Sequence, residues 1–267
     1  MDVFNGTWPL TVTAPNGVRS ETYLYNASVV QSNNFDYADA RNGMPVEERI
    51  YAPAAQGGAM LRRTLTDYEQ GCTTMAKPVP PNTSNPGSYT ACRNPRPIKA
   101  VSLILDTGGN ALASTTTSGY DATYQFTVGP DATSSSQYDY ASVDQTTAQT
   151  GAIGSIPTGA LVRTTTTTNL TGDSNYRSRN ILGLPITSTV YNAAGGMVAQ
   201  TSISYDEGSY PLITYGSITG WTDPQTTIRG NPTTSSHWLD LPTPTTLQTH
   251  AQYDQAGSVV NSLQLIR

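Results

Sequence analysis

Charge is what this chain has least of. Lys, Arg, Asp and Glu make up 12% of its 267 residues, about half the usual share. The balance is acidic, at a formal −5. A nucleic-acid partner calls for a basic stripe and an anionic membrane surface for a basic patch, so both are disfavoured. Cysteines are limited to Cys72 and Cys92 and histidines to His237 and His250. Two Cys without CxxC spacing or a nearby His make a poor zinc site. No apolar run approaches the length that crosses a bilayer. No window of normal helix length carries apolar residues at a 3.6-residue period. The opening residues, Met1 to Trp8, lack the basic and apolar regions of a signal peptide. A secreted or cell-surface product would then carry its export signal outside this chain, which would make the chain a piece of a larger polypeptide.

Hydroxyls and turn-formers take the place of charge. Thr and Ser are abundant, and the chain has 16 Tyr and 23 Gly. Polarity carried on hydroxyls and amides suits sheets with one wet face. Disorder is the competing reading for a chain only 36% apolar, but the apolar residues alternate and lie between turn signals. The expected fold class is all-β, built of repeated antiparallel hairpins.

Taken in order, residues 11–13 and 21–26 flank Ala14-Pro15-Asn16-Gly17, where Asn16 and Gly17 both tolerate a positive φ. Strands are expected at 34–37, 46–51 and 60–68, the last ending at Glu69-Gln70-Gly71. A Pro-rich segment at 77–97 reads as a surface excursion, long enough to need a reason. A disulfide between Cys72 and Cys92 would staple it in an exported protein, while two ordinary thiols fit the sequence as well. Further strands are expected at 98–105, 111–117, 124–128, 161–170, 186–191, 197–205, 212–218, 233–239, 247–253 and 258–263. The Ser/Thr/Gln/Ala/Gly-rich stretch at 131–160 carries no clear element. The texture divides the chain into a divergent hairpin region at 1–97 and a more regular one at 98–267.

Three phrases repeat: Leu105-Asp106-Thr107-Gly108-Gly109, Tyr191-Asn192-Ala193-Ala194-Gly195 and Tyr253-Asp254-Gln255-Ala256-Gly257. Looser echoes stand at Tyr120-Asp121, Tyr138-Asp139 and Tyr205-Asp206. In such a phrase the Asp or Asn accepts bonds from turn N–H groups. The Gly supplies a positive φ, and the Tyr gives a flat apolar face with a hydroxyl to satisfy. One hairpin cannot bury its face alone, so several must stack. With their lead-ins Gly183-Leu184-Pro185 and Gly230-Asn231-Pro232, these phrases resemble the YD repeats of RHS-repeat proteins. That group includes toxin-encapsulating RHS proteins, insecticidal toxin-complex C subunits and teneurins. The resemblance covers roughly residues 98–267. It departs where the turn Gly-Asn becomes Gly195-Gly196 and Gly257-Ser258, and no counterpart of the family's toxin-releasing core segment is recognised. The resemblance implies a sheet spiralling into a shell around a C-terminal effector, with the rest of a larger RHS-like polypeptide as partner.

The residues that could carry chemistry read better as structure. His237 and His250 lie in strands without metal or catalytic spacing. Glu47 and Glu48 would suit a glycosidase only if they shared one cleft, and adjacent strand residues point to opposite faces. Asp121, Asp139, Asp206 and Asp254 belong to turn phrases. The sequons at Asn5, Asn26, Asn82 and Asn169 are expected by chance in so Ser/Thr-rich a chain. No catalytic, cofactor-binding or metal-ligating residue is therefore singled out, and no cofactor is expected. The expected role is that of a non-catalytic wall segment. A carbohydrate-binding surface module is the alternative, with Tyr and Trp on an open sheet stacking on surface glycans. A β-rich glycoside hydrolase or lyase fragment is a third.

Overall fold

The computed structural model describes residues 9–26, 39–76, 88–106, 108–121, 132–217, 219–220, 222, 226–240 and 245–266. Fourteen strands lie among them: β1 (Leu10–Thr13), β2 (Arg19–Leu24), β3 (Pro45–Tyr51), β4 (Met60–Ala76), β5 (Ser88–Leu105), β6 (Asn110–Tyr120), β7 (Ala132–Tyr138), β8 (Ala141–Asp144), β9 (Leu161–Asn169), β10 (Pro185–Asn192), β11 (Met197–Tyr205), β12 (Pro232–Leu239), β13 (Thr245–Tyr253) and β14 (Val259–Ile266). Helix is confined to α1 (Gln145–Thr150), α2 (Ser174–Arg177) and two single 3-10 turns. The protein is all-β and its hairpins are antiparallel. It divides into two compact units, one of Met1–Pro130 with Ser135–Val162, the other of Asp131–Ser134 with Arg163–Arg267.

In the first unit, β1 to β6 pair in sequence order, and β8 joins β6. The period-2 pattern of β5 sends Val101, Leu103 and Leu105 to one face and leaves Ile104 exposed on the other. Register brings Leu65, Ala111 and Ala113 onto the buried face beside them. Val101 and Leu103 are fully buried. Burial of each such side chain is worth roughly 1.5–3 kcal/mol, and truncating Leu103 to Ala would cost about 2–5 kcal/mol. The cover comes from the stretch that showed no element in the sequence: Val143, Ala148 and Ile156 close the core. Asp144 starts α1 by accepting the Thr147 N–H at 2.9 Å. Gly151 ends it where a Cβ would lie 2.6 Å from the Thr147 carbonyl.

The second unit pairs β9 to β14 in order and buries a different kind of residue. Apart from Tyr176, its buried side chains are Thr189, Thr233, Thr234, His250, Asp254 and Gln255. Such a set is stable only if its polar atoms find partners, and most do. Gln255 gives its Nε2 hydrogen to the Gly216 carbonyl at 2.7 Å and accepts the Tyr215 N–H at 3.2 Å.

One hairpin unit recurs. Its turn is held by an Asp or Asn side chain: Asn192 Oδ1 accepts the Ala194 and Gly196 N–H groups at 3.0 and 2.9 Å. Asp254 Oδ1 accepts those of Ala256 and Ser258 at 2.9 and 2.8 Å, and Asp106 that of Asn110 at 2.8 Å. The fourth residue, Gly195 or Gly257, has a φ of 81° or 88°, and an extra residue follows in the return strand. This is a type I turn with a glycine bulge. In four hairpins a Tyr on the return strand donates its hydroxyl to the carbonyl of a Pro on the outgoing one, and two of these, closed by Tyr120 and Tyr205, are the hairpins turned by Asp106 and Asn192. The four pairs are Tyr68–Pro45 at 2.9 Å, Tyr120–Pro97 at 2.8 Å, Tyr205–Pro185 at 2.8 Å and Tyr253–Pro232 at 3.2 Å. In three of them a glycine with positive φ stands two residues before the Pro, at Gly43, Gly183 and Gly230.

Several expectations are corrected, and the alternative left open at the two cysteines is decided. The strand expected at 60–68 continues through Glu69-Gln70-Gly71 to Ala76, because β5 pairs with it throughout. Residues 88–97 of the expected surface excursion therefore belong to β5, and the change of texture at 97/98 falls inside one strand. Cys72 and Cys92 are disulfide-bonded, as directly opposed residues of β4 and β5. Of the strand expected at 212–218, the described residues 212–217 form none, since Ile213 makes only an isolated parallel bridge to Asp254. At Asn16-Gly17 only Gly17 takes a positive φ, and the turn is again type I with a bulge. The expected strands at 34–37 and 124–128, and residues 77–87 of the Pro-rich segment, lie outside the described residues.

Candidate functional site

The first unit holds an open cleft of about 910 Å³. Its floor and one wall are β2, β3 and β4, and its rim is residues 150–154 after α1. Strand register places Tyr23 opposite Glu47, Glu47 opposite Leu65, and Arg49 opposite Arg63, so these side chains share one face. Glu47 accepts from Arg63 Nε at 2.6 Å and also from Arg49 Nε. Buried Arg63 then holds the rim, donating to the carbonyls of Ala148 at 3.1 Å and Gly151 at 2.8 Å. A guanidinium at the C-terminal end of α1 satisfies carbonyls that the helix cannot. Arg49 lies over the Tyr23 ring at 4.6 Å and Arg41 over the Tyr25 ring at 4.5 Å.

The electrostatics follow from these pairings. Burial works against ionisation of Glu47, but the bonds from Arg63 and Arg49 outweigh it and hold the carboxyl below the usual range. Asp39 behaves alike: burial opposes its charge, and the bonds from Arg41 bring its carboxyl down. Burial and the bond to Glu21 push the Tyr23 phenol up to about 12. The Tyr23 phenol therefore stays protonated at neutral pH and meets the cleft as a hydrogen-bonding group with Arg49 over its ring.

The residues weighed in the sequence are not brought together. Glu47 faces the cleft, whereas Glu48 is exposed opposite Thr64 on the other face. His237 is exposed, with Nδ1 3.1 Å from Thr201 Oγ1. His250 is buried, stacks on Tyr210 at 4.7 Å and meets Thr234 Oγ1 at 2.9 Å. Thr234 also bonds Glu207, which only accepts, so Nδ1 of His250 carries the proton and its buried Nε2 has no partner. Opposed to Thr234 and Leu247 respectively, His250 and His237 lie on opposite sheet faces.

Turn geometry accounts for Asp254, and Asp139 accepts the Tyr140 N–H at 2.8 Å. Asp206 does more than close its own turn. Its carboxylate accepts the N–H groups of Arg229, Gly230 and Asn231 at 2.8, 2.7 and 3.1 Å, tying one hairpin to the lead-in of the next. The Asp121 carbonyl lies 3.4 Å from Arg96 Nη1. Among the described residues no three His, Cys, Asp or Glu side chains are grouped as a metal would need, and no helix is long and apolar enough to cross a membrane.

The sequence reading passed over the cleft's arginines. A signal was present: of the 14 basic and 19 acidic residues, twelve fall between Arg19 and Glu69. In a charge-poor chain, such a concentration at alternate strand positions marks one polar face. No known family model matches the chain, and no curated protein is significantly similar to it.

Proposed function

We propose that this chain is a non-catalytic wall segment of a YD-repeat shell, exported or surface-associated, within a polypeptide that encloses or presents an effector. The observation that carries this reading is a recurring clasp, in which a Tyr on the return strand bonds the carbonyl of a Pro on the outgoing one in four hairpins, two of them also turned by an Asx residue and its glycine. A unit closed by its own local bonds can be added again and again along a sheet. Terminal strands lend further support. Leu10 and Val12 on β1, and Val259, Val260 and Leu263 on β14, are large apolar residues left exposed. Exposed apolar edge strands are hazards unless more chain pairs with them or covers them.

The test uses the full polypeptide that contains this chain. Its flanking sequence should hold further Pro…Asx-turn…Tyr units. Limited proteolysis should leave an enclosed C-terminal region intact until the wall is denatured. Unrelated flanks, or a C-terminal region cleaved at the same rate before and after denaturation, would overturn the proposal.

A further inference from the structure

The β4–β5 hairpin belongs to the sheet at one end and stands by itself at the other. β3 accompanies β4 as far as Leu65, and β6 accompanies β5 from Lys99. The buried cluster lies in that shared part, around Leu65, Val101, Leu103 and Leu105. Past two register shifts, at Asp67/Tyr68 and Glu69/Gly71, the described residues show the two strands paired with each other alone. Ties to neighbours are found at the second shift. Gln70 Oε1 accepts the Ala40 N–H at 2.9 Å. Buried Arg96 donates to Glu69 at 2.7 Å and lies over the Tyr120 ring at 4.8 Å. Outward from there run five opposed pairs, from Cys72–Cys92 to Ala76–Ser88. A two-stranded ribbon on its own is marginal in water. The disulfide stands at the inner end of this one, at the first pair beyond the anchored base.

We propose that Cys72–Cys92 is a site of thiol–disulfide exchange, and that the outer ribbon is paired only while the bond is closed. The substrate class is a dithiol, either a small molecule or the active pair of an oxidoreductase. Cys72 is exposed and Cys92 half-buried, so an incoming thiolate reaches Cys72 first. It bonds to Cys72 Sγ, the S–S bond breaks, and Cys92 leaves as a thiolate that takes up a proton. The second thiolate of the dithiol then attacks the mixed disulfide and releases Cys72. The protein pair gains two electrons and two protons, and the dithiol ends as a disulfide. Loss of a link across a sequence separation of 20 weakens the pairing it holds by about a hundredfold. The ribbon then opens outward from Gly71, while the part that carries the core keeps its partners. A chain made in a reducing compartment carries the ribbon open and closes it on reaching an oxidising one. This assignment is independent of the shell reading.

Hydrogen exchange of the intact chain, read by mass spectrometry with and without dithiothreitol, tests it. In the oxidised protein the laddered amides of 72–76 and 88–92 should be protected. Dithiothreitol, without denaturant, should reduce the bond and lower that protection by about a hundredfold or more. The amides of 101–105 should stay protected in both states. A double variant, Cys72→Ser with Cys92→Ser, should show the open pattern and no response to dithiothreitol. Three results would each overturn the assignment: a bond that dithiothreitol reduces only in denaturant, ribbon protection unchanged by reduction, or protection at 101–105 lost together with that of the ribbon.

Discussion

Asp206 is the residue whose loss should be felt farthest from its own position. Its carboxylate gathers three backbone N–H groups of the segment leading into β12, and its own N–H donates to the Asn231 carbonyl at 3.0 Å. It does so from a left-handed backbone, with φ at 50°. Replacement by Ala removes three bonds to a charged acceptor. Each is worth about 1.5–3 kcal/mol where water cannot substitute. The site is half-buried, so water recovers part, and about 3 kcal/mol is the expected loss. A Cβ without a polar tip in the left-handed region adds about 1 kcal/mol, for about 4 kcal/mol in all. Gly escapes the second penalty. Asn tolerates the conformation and keeps one oxygen, so it should lose about half as much as Ala. The predicted order of stability is wild type, Asn, Gly, Ala, measured by urea unfolding followed by far-UV circular dichroism at constant slope. Ala and Gly variants of equal stability, or an Ala variant within about 0.5 kcal/mol of wild type, the ordinary range for a surface change, would refute the joint assigned to Asp206.

Three other predictions follow from particular contacts. Glu47 and Asp39 have folded-state carboxyls below their unfolded values, so the stability they add is full above about pH 4.5 and is lost as pH falls through the folded values. The thermal midpoint should be level down to about pH 5 and decline below it, less steeply in Glu47→Gln. Gly257→Ala should cost only the left-handed penalty, about 1–2 kcal/mol, because nothing lies within 4 Å of the added Cβ. Gly159→Ala should cost more in the same urea assay, since its Cβ would fall 2.1 Å from the Asp139 carbonyl oxygen. Joint replacement of Cys72 and Cys92 by Ser opens a loop with a sequence separation of 20. A stability loss of about 3 kcal/mol is expected, and dithiothreitol should give the wild type the same urea midpoint as the double variant.

The local features were legible because their causes are local. Asp-x-x-Gly and Asn-x-x-Gly turns need only four residues to specify them, and Asn192 and Asp254 behave as their neighbours dictate. Alternation placed most strands for the same reason. The misses all depend on partners distant in sequence. Residues 212–218 have strand-like composition, yet Ile213 meets only one backbone position, near Asp254, and residues 212–217 have no ladder to join. Gly71 looked like a stop, but β5 pairs across it and Cys92 fixes the register one residue later. Residues 131–160 looked featureless because the cover of a core needs only a few small or apolar residues, here Val143, Ala148 and Ile156. Arg63 was invisible as a site residue because its meaning lies in carbonyls 85 and 88 positions away.

The pairing of Pro with Tyr explains how a sheet so poor in apolar residues is held together. A Pro donates no ladder hydrogen bond, so the opening of a strand is where it costs least. Pro45, Pro185 and Pro232 each begin one. The carbonyl at such a frayed end remains to be satisfied, and a Tyr hydroxyl from the returning strand reaches it. The residue after each of these tyrosines is acidic: Glu69, Asp121, Asp206 and Asp254. Asp206 and Glu69 make bonds outward from their own hairpins. Asp206 binds the lead-in to Pro232, and Glu69 accepts from Arg96, the residue before Pro97, at 2.7 Å. The Tyr closes a hairpin and the acid joins it to the next. A sheet made in this way needs no continuous hydrophobic core, and the second unit, with its buried Thr, His and Gln, is what such a sheet looks like when the joints between hairpins hold it.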